Sequence, residues 1–357
     1  MESWIDQTRP PRDGEELDLL ALEPYLRKNL SQVDSPLELE QFPGGHSNLT
    51  YLLRSGAFEM VLRRPPFGNQ VKSAHDMGRE HKVLSHLSGV FPAAPRPFLY
   101  CEDEAILGAP FYVMERRRGM ALRRQLPPGL ELSPGTMEDL SKNFIDLLAT
   151  LHTLDYQAIG LGDLGKPEGY VTRQVQGWGK RYHRARTHEW AEMEQVAQWL
   201  IDHQPPASRT SAGILHNDFK YDNLLLDPAD PSRIVAVLDW EMCTLGDPLM
   251  DLGTTLAYWI EATDPPHFQA AAFGPTSLPG SLTRQELVTR YADKTGFDVS
   301  NLTFYYVYGL FKLAVIVQQI YYRYAQGLTQ DPRFAEFHKM VALLGQVAAR
   351  SIAQDRI

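Results

Sequence analysis

The segment ILHNDFKYDNLLLDPADPSRIVAVLDWEMCTLGDPLMDLG, residues 214–253, contains an acid and an amide five positions apart, Asp218 and Asn223, and a second acid, Asp239. The pattern predicts a β-hairpin over residues 223–238, with a Pro-Ala-Asp-Pro turn at its centre. In this hairpin Asp218 and Asn223 stand at the start of one strand and face Asp239 at the end of the neighbouring strand. Mg²⁺ prefers a few such oxygen ligands and keeps the rest of its shell for water and phosphates. The segment therefore predicts a nucleotide phosphate site.

The composition excludes several classes of protein. The chain has 357 residues, with 35 basic and 44 acidic side chains, so its formal net charge is −9. A net acidic chain is not expected to bind nucleic acid, whose phosphates require basic surfaces. The 43% hydrophobic content excludes a disordered polymer, and the length indicates two domains or two lobes of one. Cys101 and Cys243 show neither disulfide-framework nor zinc spacing, which favours a reducing compartment.

We expect neither a membrane span nor a secretion signal in this chain. Residues 1–17 show no basic segment followed by an apolar one, so we expect no secretory signal. The longest nearly apolar stretch, residues 309–317, is interrupted by Lys312 and is shorter than the roughly 20 residues that a membrane span requires. We therefore expect a cytoplasmic protein without a membrane partner. A homodimer stays open at this stage.

The secondary-structure pattern changes along the chain. A helix over residues 15–29 is followed by short strands with a Ser55-Gly56 turn between residues 42 and 66, which predicts an antiparallel β-meander. Further predicted elements are a helix over 74–87, a strand over 111–114, and helices over 133–154, 171–203, 281–294, 302–324 and 332–357. We place a small lobe at residues 1–116 and a large, mainly helical lobe at residues 117–357.

The chain resembles a known superfamily. Residues 216–223, HNDFKYDN, have the spacing of the protein-kinase catalytic loop H-R-D-L-K-x-x-N, and residues 239–241, DWE, stand where kinases have D-F-G. With the following GDP and Asp251-Leu252, the segment resembles the aminoglycoside phosphotransferase, protein-kinase-like superfamily. The motifs VLRRPP, REHKVLSHL, PFYVMER and GLGDLG make it most similar to the kinase-like domain associated with acyl-CoA dehydrogenases. The resemblance implies an α+β bilobal fold, with an antiparallel sheet in the small lobe and a mainly helical large lobe.

The resemblance implies roles for the residues of the large lobe. Asp218 would accept or orient the proton of the substrate hydroxyl, and Lys220 would reach the γ-phosphate. Asn223 and Asp239 would hold Mg²⁺. His216 would brace the loop, and Asp251 would anchor it through hydrogen bonds to its backbone. Singly, such Asp and Asn residues are more often turn residues or helix caps.

The small lobe would bind ATP. The turn Gly44-Gly45-His46-Ser47-Asn48 would lie over the phosphates, although Gly44-Gly45 alone is also typical of a hairpin turn. Arg63 stands where kinases have the strand lysine, and Glu80 would be its ion-pair partner, although such a glutamate is often a solvated helix residue. Met114 and Glu115 would form the hinge that reads the adenine edge.

The chain departs from the superfamily pattern at two positions. Asn217 stands where most antibiotic and choline kinases have glycine, and Arg63 replaces the usual lysine, from which it differs in shape and hydration. Residues 160–165, GLGDLG, with Lys166 also fit a phosphate-loop pattern. Pro167 occupies the position of its magnesium-binding Ser or Thr and no clear strand precedes it, so we interpret it as a loop between helices near the substrate cleft.

These features predict an ATP-dependent small-molecule kinase that uses Mg²⁺ and phosphorylates a substrate hydroxyl group. A hydroxy acid or hydroxyacyl-CoA is favoured over an aminoglycoside as the acceptor. The alternative is a catalytically inactive kinase-like protein that binds a nucleotide or an acyl-CoA-like ligand. The basic run Arg116-Arg117-Arg118 is interpreted as a solvated face or as a contact for an anionic substrate.

Overall fold

The structure is a computed structural model that describes residues 4–43, 48–68, 76–206 and 212–357. The strands are β1 (Leu37–Gln41), β2 (Leu49–Ser55), β3 (Phe58–Arg64), β4 (Pro97–Cys101), β5 (Phe111–Glu115), β6 (Gly213–Leu215), β7 (Leu224–Leu226), β8 (Ile234–Val237) and β9 (Thr244–Gly246). The helices are α1 (Leu19–Asn29), α2 (Met77–Leu87), α3 (Glu104–Leu107), α4 (Pro134–Thr153), α5 (Tyr170–Arg184), α6 (Ala191–Asp202), α7 (Pro248–Tyr258), α8 (Pro266–Gln269), α9 (Arg284–Thr295), α10 (Leu302–Ala325) and α11 (Phe337–Gln354).

The first five strands form one antiparallel sheet in the order β1-β2-β3-β5-β4. Side chains alternate between its faces, as the two-residue period of a strand requires. Met60 and Leu62 of β3 pack in a core with α1, whereas Val61 belongs to the core shared with α2 and the helical part. Arg63 follows Val61 by two positions and therefore lies on the same face of β3. Its guanidinium group is thus on the side of the sheet away from α1.

The remaining chain is mainly helical and contains two short ribbons, β6 with β9 and β7 with β8. Helices α7 and α10 pack at unusually short range because glycines meet at their contact. A Cβ atom added at Gly309 would lie 2.2 Å from the backbone oxygen of Gly253. This contact fixes α7, which carries Asp251, against α10, which carries Lys312.

Several predicted elements are confirmed, including the β2–β3 hairpin, strand β5 and the β7–β8 hairpin. The helix predicted over 15–29 begins only at Leu19, because the Asp18 side chain caps it by accepting from the backbone N–H groups of Leu20 and Ala21. None of the helices in the described ranges combines the length and the apolar character needed to cross a bilayer.

The helix predicted over residues 171–203 is wrong, since the chain leaves the helical path between α5 and α6. There the ring of His188 stacks on Trp190 at 5.6 Å and on His338 of α11 at 5.3 Å. Tertiary contacts thus override the local helical pattern. The last helix starts at Phe337 rather than at residue 332, after a single 3₁₀ turn. The division of the chain at residue 116 stays a prediction.

Candidate active site

Asp251 anchors the loop that follows β6. Its carboxylate, fully buried on α7, accepts from the backbone N–H of His216 at 2.6 Å and from that of Asn217 at 2.9 Å. It also accepts from Nε2 of His152 at 3.1 Å. Burial alone would raise the pKa of Asp251, but His152 and nearby cations hold that pKa below its ordinary value. The residue is therefore a buried carboxylate that fixes the backbone immediately before Asp218.

His216 ties the same loop to the strand that leads to Asp239. Its Nε2 lies 2.9 Å from the backbone oxygen of Leu238, and its Nδ1 lies 3.3 Å from the backbone N–H of Asp218. Both contacts are satisfied when Nε2 carries the proton, and burial lowers the pKa of His216, which favours this neutral form. The ring packs edge-on against Trp240 at 4.9 Å. His216 thus has the bracing role that the resemblance implies.

Asn217 has a left-handed backbone, with φ of 66°. This conformation favours glycine, and asparagine is among the other residues that adopt it most readily. Its amide group donates to the backbone oxygen of Met242 at 3.1 Å and accepts from the hydroxyl of Tyr170 at 3.2 Å. The departure from glycine is therefore compatible with the loop, because these contacts hold the strained position.

Three side chains converge on the carboxylate of Asp218. Lys220 Nζ lies 2.9 Å from Oδ2 and 3.1 Å from Oδ1. Asn223 Nδ2 donates to Oδ2 at 2.8 Å, and the Tyr258 hydroxyl donates to Oδ1 at 2.9 Å. Burial opposes ionisation, yet Lys220 and the hydrogen bonds hold the pKa of Asp218 below its ordinary value. Asp218 is thus an oriented carboxylate.

Asn223 and Tyr258 contribute differently to this group. Asn223 uses Nδ2 for its contacts with both Oδ2 and the backbone oxygen of Asp218, which leaves its amide oxygen as a ligand for a cation. Tyr258 is a residue that the sequence analysis missed. It is the last residue of α7, outside the kinase-like motifs, and no local signal in the sequence relates it to Asp218.

Asp239 and Glu80 both contact the guanidinium group of Arg63. Arg63 Nη2 lies 3.1 Å from Asp239 Oδ1, and Arg63 Nε lies 3.3 Å from Glu80 Oε2. The Glu80 carboxylate raises the pKa of Arg63 against the effect of burial, so the guanidinium stays charged. Asp239 has a left-handed φ of 67°, and its side chain keeps 32% of its surface exposed. The pairing of Arg63 with Glu80 follows the sequence prediction, whereas the contact with Asp239 was not predicted.

Glu80 is 1% exposed and is surrounded by donors. Its Oε2 accepts from the Tyr112 hydroxyl at 2.7 Å, and its Oε1 accepts from Asn48 Nδ2 at 3.2 Å. Asn48 also donates to Glu241 at 2.9 Å, so it connects the start of β2 to the residue two positions after Asp239. The solvated-helix interpretation of Glu80 is therefore wrong, because every oxygen of the buried carboxylate has a partner.

A cleft with about 1100 Å³ of empty volume joins these groups. Its polar lining includes Arg63, Asn223 and Asp239. Its apolar walls are formed by Phe42, Val61, Leu84, Met114, Leu225, Leu238 and Trp240. The predicted residues Asn48, Met114 and Glu115 also line it. Gly44, Gly45, His46 and Ser47 lie outside the described residues.

The predicted hinge lies at the end of β5, beside the apolar walls. The backbone N–H of Glu115 donates to the backbone oxygen of Arg96 at 2.9 Å, and its carboxylate accepts from Arg117 Nε at 2.8 Å. Because its N–H is occupied within the sheet, Glu115 cannot offer that donor to a base without breaking this bond. Reading of the adenine edge by Met114 and Glu115 stays a prediction.

Two observations from other proteins define the family. The phosphotransferase enzyme family model matches residues 38–280. Acyl-CoA dehydrogenase family member 10 of Mus musculus is 34% identical over 347 residues, which are 96% of this chain and 32% of that protein. The chain thus spans about a third of the length of this relative.

Solved structures agree with this assignment. A candidate aminoglycoside phosphotransferase from Ralstonia eutropha has a TM-score of 0.82 and 31% identity, covering 95% of this chain and 99% of that one. Choline kinase from Cryptosporidium parvum has a TM-score of 0.64 at 11% identity, covering 95% and 97%, which shows a likeness of fold alone. The predicted α+β bilobal kinase-like fold is confirmed. The chain therefore belongs to the phosphotransferase enzyme family, in the aminoglycoside phosphotransferase, protein-kinase-like superfamily.

Proposed function

We propose that the chain is an ATP-dependent small-molecule kinase that transfers the γ-phosphoryl group to a hydroxyl group of its substrate. The observation that carries the proposal is that Arg63, Asn223 and Asp239 line one cleft together with apolar side chains, with the Asp218 carboxylate bonded to Asn223. The apolar side chains of the lining suit a planar base, and the group of Arg63, Asn223 and Asp239 suits the phosphates. Membership of the phosphotransferase enzyme family supports the same class of reaction.

Asn223 and Asp239 suit Mg²⁺. This ion is usually bound through one or two carboxylates together with waters and substrate phosphates, rather than by a complete protein cage. Asp239 offers a carboxylate and Asn223 an amide oxygen. Within the described ranges no group of three or more His, Cys, Asp or Glu side chains is arranged to hold a metal. When bound, the ion would neutralise phosphate charge and orient the transferred group.

Asp218 is the residue we assign to the acceptor hydroxyl. It accepts the hydroxyl proton as the hydroxyl oxygen bonds to the γ-phosphorus and the bond from that phosphorus to the bridging oxygen of ADP breaks. The contacts from Lys220, Asn223 and Tyr258 keep its carboxylate ionised and oriented for this task. The ammonium of Lys220 lies beside the same carboxylate, where it would offset charge on the transferred group. Catalysis would thus depend on positioning and charge neutralisation.

We propose a hydroxy acid or a hydroxyacyl-CoA as the acceptor, in preference to an aminoglycoside. The similarity over 96% of the chain to a protein named as an acyl-CoA dehydrogenase family member supports this choice. The Ralstonia protein, 31% identical, carries an aminoglycoside phosphotransferase name, so the two relatives point to different acceptors.

Single-turnover transfer from radiolabelled ATP tests the proposal on three acceptor sets: hydroxy acids, hydroxyacyl-CoA thioesters and aminoglycosides. We expect label on a hydroxylated acid or thioester, and loss of transfer in Asp218→Ala with binding of the analogue AMP-PNP retained. Transfer to aminoglycosides alone would overturn the acceptor assignment. Nucleotide binding without transfer in any set would favour the inactive kinase-like alternative, and full transfer by Asp218→Ala would overturn the role of that residue.

A further inference from the structure

A second cavity, with about 700 Å³ of empty volume, lies between α5, α10 and the chain around β9. It shares no lining residue with the nucleotide cleft. Its wall nevertheless includes Asn217, which directly precedes Asp218, and Met242, which follows Asp239 by three positions. The cavity therefore reaches the catalytic loop from a direction that the nucleotide site does not use.

The charge of this cavity is of one sign. Its lining contains the cations Lys166, Arg173, Arg181 and Lys312 and no Asp or Glu. Across the described ranges none of the four forms an ion pair with a carboxylate. The whole chain has a net charge of −9, so a cavity with only cations is a local reversal of the overall balance. Grouped charges in a concave site attract ligands of opposite charge.

Neutral partners hold Arg173 and Arg181 in place without cancelling their charge. The guanidinium of Arg173 donates to the backbone oxygens of Lys166 and Glu168. The guanidinium of Arg181 lies over the ring of Trp178, 4.6 Å from its centroid. Arg173 and Arg181 are exposed at the mouth, whereas Lys312 is only 2% exposed. The cavity is thus basic from its mouth to its buried wall.

Lys312 connects the cavity to the catalytic loop. Its Nζ donates to the backbone oxygen of Asn217 at 2.8 Å, and it also lies 5.9 Å from the ring centroid of Trp178. An ammonium has three donors, so this contact leaves others for a ligand. Because Asn217 has a left-handed backbone and precedes Asp218, the bond from Lys312 restrains the peptide that positions the catalytic carboxylate.

We infer that this cavity is an oxyanion-binding site, which takes a carboxylate or phosphate group, and that Lys312 is a positioning residue that links its occupancy to Asp218. The effect of Lys312 on phosphoryl transfer rests on the proposed function, whereas the binding of an oxyanion in the cavity does not. The oxyanion is either a group on the acceptor itself or a free anion that acts as an effector. An acceptor whose negative group binds here would present its hydroxyl to the adjacent catalytic loop.

Binding of inorganic phosphate, measured by calorimetry at pH 7, tests the site. We expect the double variant Arg173→Met, Arg181→Met to lose at least about tenfold in phosphate affinity, since two charge-assisted contacts are removed. Arg184→Met, an exposed arginine of α5 outside the cavity, is the matched control and should bind as wild type does. Unchanged affinity in the double variant, or an equal loss in Arg184→Met, would overturn the site.

The role of Lys312 needs a separate measurement. We expect Lys312→Met to lower phosphate affinity and the single-turnover transfer rate while AMP-PNP affinity stays constant, and Lys312→Arg to restore phosphate affinity. Wild-type phosphate affinity and transfer rate in Lys312→Met would overturn the link. If phosphate competes with the acceptor, the ligand of the site is the acceptor's own negative group. If phosphate changes the transfer rate without competing, the ligand is an effector. Either result supports the site. Phosphate binding without any transfer would leave the site supported and the proposed kinase activity refuted.

Discussion

Arg63 Nη2 lies 3.1 Å from Asp239 Oδ1, so the cation of β3 contacts the acid that follows β8. The same guanidinium contacts Glu80 of α2 through Nε at 3.3 Å. One side chain therefore joins the sheet, the helix α2 and the candidate metal ligand. A planar fork with separate donors makes two such contacts at once, which a single ammonium does less well.

Arg63→Lys tests this bridge. The shorter point charge is expected to keep the contact with buried Glu80 and to lose that with Asp239, so affinity for AMP-PNP with Mg²⁺ should fall about tenfold, or about 1.4 kcal/mol. Calorimetry measures the change. Arg54→Lys is a matched control, because Arg54 pairs with Glu40 and Glu59 on the same sheet, away from the cleft. Equal affinity in wild type and Arg63→Lys would contradict the bridging role.

Tyr258→Phe removes one donor from Asp218. A hydrogen bond to a charged group contributes about 1.5–3 kcal/mol, so we expect the transfer rate to fall at least about tenfold. The Tyr258 hydroxyl helps to lower the pKa of Asp218, and its loss should therefore move the acid limb of the pH–rate profile to higher pH. Tyr100→Phe, outside both cavities, serves as the control. A variant with an unshifted profile and a wild-type rate would remove Tyr258 from the site.

Asp251→Asn replaces an acceptor that has three N–H partners. The new amide must turn its NH₂ group toward one of these donors, and the buried contact with His152 loses its charge. We expect the free energy of unfolding to fall by about 3 kcal/mol in urea titrations, together with a loss of transfer. Asp227→Asn, whose carboxylate pairs with exposed Arg233, should change stability by less than about 1 kcal/mol. Similar losses in the two variants would contradict the anchoring role.

Lys312 predicts a pH dependence for oxyanion binding. Burial lowers the pKa of its ammonium to about 8. The charged groups that act on it are Asp251 of α7, Asp218 and Lys220 of the loop after β6, and Arg181 of α5. Below this pKa the ammonium is charged and attracts an anion, and above it the charge is lost. The affinity for oxyanions should therefore decrease as the pH rises through about 8.

Sulfate is the suitable probe for this titration, because its own charge is constant near neutral pH. We expect wild-type affinity to fall between pH 7 and pH 9, and Lys312→Arg, whose guanidinium does not titrate there, to show little change. A wild-type titration as flat as that of Lys312→Arg would show that Lys312 does not act on the bound anion.

The sequence could predict the parts of the site that a single motif contains. The spacing of Asp218 and Asn223 places them on one loop, and the hairpin brings Asp239 near them, so local geometry was sufficient to predict this group. These predictions depend on contacts between residues close in the chain or joined by a hairpin. Lys220 and Arg63 are expected at the site only because their positions match motifs of the superfamily, and Arg63 does line the cleft.

The remaining features depend on packing between distant elements. Tyr258 reaches Asp218 from the end of α7, and Lys312 reaches Asn217 from α10, 95 residues away. The basic cavity combines cations from three separate segments within a chain of negative net charge, so composition pointed away from it. The break near His188 also depends on a ring stack with α11. Such contacts leave no periodic signal along the sequence.

The binding of AMP-PNP with and without Mg²⁺, measured by calorimetry in wild type and in Asp239→Asn, tests the nucleotide site most directly. We expect wild-type affinity to rise at least about tenfold when Mg²⁺ is added, and this gain to disappear in Asp239→Asn, because the amide is a poorer ligand for the cation. Asp227→Asn should retain the full gain. A wild-type chain that binds no nucleotide, or an Asp239→Asn variant with an undiminished Mg²⁺ dependence, would contradict the assignment of this cleft.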